Sequence, residues 1–164
     1  SRQIFFVATG GFDSHDDQAQ DQPGLLANVS ACLDAFYRAT VEMGIAQNVT
    51  AFTQSDFGRT LTSNGDGTDH AWGGVQLVVG GAVHGKSVYG SYPVLRLGAT
   101  LAADGADDVG GGRFIPTTSS DQYAATLARW FGVQDSELAG ILPNLRNFSG
   151  GDYPSNLGFM RAPV

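Results

Sequence analysis

The chain has 164 residues, enough for one ordinary domain with a sizeable core, and its 42% hydrophobic content excludes a disordered segment. No apolar run approaches the roughly 18 residues of a membrane-spanning helix. A formal net charge of -7, with Lys86 the only lysine, argues against binding nucleic acid or an anionic membrane through a basic face.

Residues 4–9 (IFFVAT) form a short continuous apolar run, the pattern of a strand covered on both faces. The sequence opens almost at once into this strand, so the chain is read as one α/β domain over residues 1–164, the C-terminal part of a longer one. The acidic loop GGFDSHDDQ follows. Residues 25–43 then place Leu26, Val29, Leu33, Phe36 and Tyr37 at helical spacing, with Gly44 as a stop. The lone cysteine, Cys32, lies on this apolar face and is expected as a core thiol; it leaves no internal disulfide.

Residues 49–54 are β-branched and aromatic, a second strand ending in the acidic turn SDFGR. A glycine- and aspartate-rich loop, SNGDGTDHAWGG, precedes a third strand over residues 75–79. Residues 83–112 are glycine-rich and aperiodic, read as short strands and loops, with DGADDVGGGR as a surface excursion. Order returns at residues 121–131, a helix whose start carries the Ser119/Gln122 spacing of a capping box and whose end is Gly132. Its apolar side is Tyr123, Leu127, Trp130 and Phe131. SELAGIL is a further short helix, and the tail from Pro143 is irregular. Alternating strands and helices predict a mostly parallel sheet flanked by helices.

In such sheets ligands bind outside the carboxyl ends of the strands. Asp13 and His15 follow the first strand, Asp56 and Arg59 the second, and Asp69 and His70 precede the third. Carboxylates mixed with imidazoles suit zinc, manganese or iron better than calcium, which prefers oxygen alone. The same residues also fit plainer roles. Asp13 and His15 suit a turn entering a helix, Asp56 could brace Arg59, and His70 beside Trp72 could be structural. His84 stands apart as a surface residue; Asp16, Asp17 and Asp21 read as a solvated charge run; Trp72 and Trp130 read as core.

Four stretches in order, GGFDSHDDQ, TQSDFGRTLTSNGDGTDHAWGG, VVGGAVHGKSVYG and IPTTSSDQYAATLARWFGV, resemble the C-terminal half of an exported bacterial family, domain of unknown function 1501. That family is similar to the alkaline phosphatase and sulfatase superfamily, whose members act on phosphate and sulfate esters at a one- or two-metal site. The resemblance implies an alkaline phosphatase-like fold, present here as a partial domain, and a periplasmic or extracellular location. It implies Asp13, His15 and His70 at one metal position and Asp56 at another, with Asp17 as an alternative ligand and zinc or manganese as the divalent ion. Arg59 would grip the ester as a catalytic residue, and the nucleophile would lie upstream of Ser1.

Phe57 departs from the pattern, standing where those enzymes carry a histidine. The leading expectation is a metal-dependent hydrolase or transferase of phosphate or sulfate esters, small or polymer-borne. The alternative is a non-catalytic binding or structural module with a degenerate site. Expected partners are the missing N-terminal part or a second copy, with no nucleic acid and no membrane insertion.

Overall fold

A computed structural model describes residues 1–97 and 107–161. In chain order it contains α1 (Gln18–Glu42), β1 (Thr50–Phe52), β2 (Gly58–Ser63), β3 (Thr68–Ala71), β4 (Val78–Gly80), α2 (Ser120–Phe131) and α3 (Asp135–Ile141). A short 3-10 turn at Ala46–Asn48 lies between α1 and β1, and another at Pro143–Asn147 follows α3.

The strands do not form the expected parallel sheet. They make two separate two-stranded sheets, β1 with β4 and β2 with β3. β2 and β3 are antiparallel, with Arg59 opposite His70 and Ser63 opposite Thr68. Beside β1 and β4, the bonds Thr53 N–H to Leu77 O and Gly81 N–H to Ala46 O also run in antiparallel order. A hairpin occupies the sequence between the second and third expected strands, so these meet as antiparallel neighbours, without the helical crossover that parallel pairing needs.

The segment expected to form a strand covered on both faces, residues 4–9, has no strand structure. Ile4, Phe5, Phe6 and Val7 are 77%, 81%, 92% and 89% exposed. Its two-sided apolar character remains, but no described element covers it. A parallel α/β sheet is therefore overturned for these residues. The surface excursion expected over residues 104–113 lies partly outside the described residues, which resume at 107. There, Asp108 bridges to Phe114 and is fully buried.

The helices match the sequence more closely. α1 begins earlier than its apolar pattern does, running back through Pro23 to Gln18. Its half-buried positions, Gln22, Leu25, Val29, Leu33 and Tyr37, recur at helical spacing as one narrow stripe. Leu26, Phe36 and Cys32 fall off that stripe and are exposed, so Cys32 is not a core thiol. Trp72 is likewise 60% exposed rather than core.

α2 has the complete capping box: Ser119 Oγ accepts from the Asp121 N–H, and Gln122 Oε1 accepts from the Ser119 N–H. Gly132, at φ 102°, ends it in the left-handed conformation that favours glycine.

The described chain divides into two compact units. The first comprises Ser1–Ala39, Phe52–Leu77 and Pro93–Pro116, the second Thr40–Ala51, Val78–Tyr92 and Thr117–Val164. In the second, Ala125, Leu138 and Leu145 form a core, with Ala128, Val133 and Leu142 against it. Leu138 is 1% exposed, so Leu138→Ala should cost about 2–5 kcal/mol in chemical unfolding.

Burial also pushes the Tyr123 hydroxyl above its ordinary value of 10.0. The unfolded chain then loses that proton first, so stability is intact below about pH 10 and falls as pH rises further. Tyr123→Phe should flatten this alkaline decline in unfolding measured against pH. Among the described residues no helix is long and apolar enough to cross a membrane.

Candidate metal centre

The loop between residues 10 and 17 is held along the β2–β3 hairpin inside the first unit. The Thr68 N–H donates to Ser14 O (3.3 Å), the Gln18 N–H to Asp66 O (3.2 Å), and Asn64 Nδ2 to His15 O (3.0 Å). Gly67 permits this approach: a Cβ there would lie 2.4 Å from the carbonyl carbon and oxygen of His15 and 2.5 Å from Ser14 O. Gly67→Ala must push the loop from the hairpin, at a cost of about 1–3 kcal/mol. Calorimetric zinc titration should then show affinity reduced by about tenfold or more, with helical circular dichroism retained.

Docking the loop brings three of the four expected metal ligands together. The ligand atoms of Asp13, His15 and His70 all lie within 4.8 Å of one another. Asp13 Oδ1 is 2.9 Å from His15 Nε2 and 2.7 Å from His70 Nε2, and the two Nε2 atoms are 3.3 Å apart. Asp56 is exposed and outside this group, and Asp17 is not part of it either. His84 is exposed and belongs to the second unit.

Arg59, on β2, donates through Nη1 to the same Asp13 Oδ1 at 2.7 Å. Phe57 stacks on the His70 ring, centroids 4.2 Å apart and planes inclined by 7°. The ring in the slot where the resemblance expects a histidine thus fixes the orientation of one that is present. Asp69 was visible only as His70's neighbour. Its Oδ1 lies 3.5 Å from His15 Nδ1, on the side of the ring away from Asp13. Strand alternation is the signal for this division, since Asp69 and His70 must leave β3 on opposite faces.

The Asp13 carboxyl is held below its ordinary value of 3.8, first by the His70 hydrogen bond and then by that from Arg59. Asp13 is therefore an anion throughout the neutral range.

The donor set fits a transition-metal ion. Zinc bonds of about 2.0–2.1 Å in four-coordination set neighbouring donors about 3.4 Å apart. The two imidazole nitrogens already have that spacing; Asp13 Oδ1 needs only about half an ångström of outward rotation. Two nitrogens against one carboxylate do not suit calcium, which takes six to eight oxygens. Asp69, 3.5 Å from the far nitrogen of His15, stands where an outer carboxylate would orient that imidazole if it held an ion.

The model of a family described as a protein of unknown function (DUF1501) matches residues 1–142. The chain belongs to the DUF1501 family. No curated protein and no solved structure matches it. All the clustered side chains of this DUF1501 chain fall inside the matched region.

Proposed function

We propose that this chain supplies the cation site of a metal-dependent hydrolase or transferase of phosphate or sulfate esters, working in the periplasm or outside the cell. The observation that supports the reading best is the convergence of Asp13, His15 and His70 from a loop and a strand far apart in sequence, with one oxygen and two nitrogens at metal-ligand spacing. The side chains of Asp13, His15 and His70 are 55%, 44% and 49% exposed, so the cluster is open to an ester from solution. A zinc or manganese ion held there would act as a Lewis acid toward an ester oxygen.

The chain's own residues would orient that ion. Phe57 keeps the His70 ring in its plane, Asp69 faces the far nitrogen of His15, and Arg59 holds the Asp13 carboxylate. The aspartate-rich, lysine-poor composition supports an extracellular setting.

The test is aryl phosphate and aryl sulfate turnover by the polypeptide carrying these residues in its natural context, loaded with zinc or manganese, with His70→Ala as control. Metal-dependent turnover lost in the control is the expected result. Stoichiometric metal with neither ester turned over would sink the hydrolase reading. It would favour the second, a binding module with a degenerate site, for which the supporting feature is Phe57 itself, a side chain with no metal-binding atom where the resemblance expects a histidine.

A further inference from the structure

Arg59 is only 14% exposed, against 55% for the Asp13 side chain it meets. Its Nε donates to Thr68 Oγ1 (3.0 Å), Nη1 to Asp13 Oδ1 (2.7 Å) and Nη2 to Ser14 O (2.7 Å), with a further Nη2 bond to Thr68 O. Arginine has five N–H donors, and these bonds use all but one Nη1–H. Gripping an ester oxyanion with a guanidinium fork takes two parallel donors on one edge. Arg59 has no such edge left.

We infer that Arg59 selects the ion: it ties down and neutralises the one carboxylate of the Asp13–His15–His70 cluster, so that the two imidazoles decide which cation enters. The inference rests on the reading of that cluster as a cation site. Repulsion from a positive charge acts alike on any divalent ion and selects nothing. The selection comes from what each ion needs. Calcium and magnesium bind through carboxylate charge and several oxygens. Asp13 is a single carboxylate whose charge Arg59 offsets and whose Oδ1 is shared among Arg59 and both histidines, so it offers such an ion far fewer than the six to eight oxygens it takes. Zinc binds well through imidazole nitrogen, and Arg59 leaves both nitrogens available. Arg59 also positions the loop, since it joins Asp13 and Ser14 to Thr68 on β3.

Calorimetric titration of the purified chain with zinc and with calcium, in the parent, Arg59→Gln and Arg59→Lys, tests this without any activity assay. The parent should prefer zinc by about a thousandfold or more. In Arg59→Gln the carboxylate is free to turn both oxygens toward an ion, and the preference should fall about tenfold or more, chiefly through tighter calcium. Arg59→Lys keeps the charge and should keep most of the preference. An unchanged zinc-to-calcium ratio in a folded Arg59→Gln chain overturns the inference while leaving the metal reading intact. Should Arg59→Gln fail to fold, the parent and Arg59→Lys decide. Calcium bound as tightly as zinc by the parent, or a preference lost with lysine in place, overturns it. A parent that binds neither ion defeats the cation-site reading itself.

Discussion

Replacing both histidines, His15→Ala with His70→Ala, should lower zinc affinity by about a hundredfold or more and leave the fold in place. Each ring is a nitrogen donor at ligand spacing, and the nitrogens are 3.3 Å apart. Removing both leaves Asp13 alone, and a single exposed carboxylate already bonded to Arg59 holds no transition metal at micromolar concentration. The fold should survive because neither ring is buried: the side chains are 44% and 49% exposed, and the second unit's core contains neither. Elemental analysis after dialysis, with circular dichroism on the same samples, checks both halves of the expectation. Zinc retained at one equivalent by the double variant would show that the ion binds elsewhere.

The second large effect concerns residues 4–7. Four adjacent apolar side chains are between 77% and 92% exposed. Burying such a side chain stabilises by about 1.5–3 kcal/mol, so together they offer roughly 6–12 kcal/mol to any surface that covers them. Backbone in the same stretch, which pairs with none of the described residues, can add a strand to a neighbour's edge. In the absence of another partner, a second copy is the available cover. The purified chain should therefore associate with rising concentration in analytical ultracentrifugation. Phe5→Asp with Phe6→Asp should return it to monomer without changing the melting of the second unit, where Leu138 and Ala125 carry the core. A parent that stays monomeric to about 100 μM would show that this segment has no drive to pair.

Elements whose cause is local were legible in the sequence. Ser119 and Gln122 three residues apart, with Gly132 at the far end, are enough to define α2, because a cap satisfies backbone donors of its own turn. Helical spacing made α1 and part of its stripe (Val29, Leu33, Tyr37) legible, but it also put Leu26, Phe36 and Cys32 there, which are exposed, and it missed the start at Gln18, since the first turns carry no apolar signal. Residues 4–9 mark the limit of that kind of reading. Their composition does specify an apolar strand, but a strand exists only by pairing, and nothing in the described residues pairs with it.

The same distinction divides the site. Residue types mark Asp13, His15, Asp56 and His70 as metal-ligand chemistry, but the strand-end logic that grouped them assumed a parallel sheet: residues 4–9 form no strand, His70 lies within β3, and Asp56 falls outside the cluster. Whether Asp13 and His15 touch His70 is decided over 55 or more residues of separation, by Gly67 letting the loop lie on the hairpin. Tertiary structure also set the partners that sequence could not assign: Arg59 directed onto Asp13, Phe57 onto the face of His70, and Asp69 toward the far side of His15. A side chain's type is a property of the chain, but its partner depends on which backbones can approach. At this site that approach depends on a glycine.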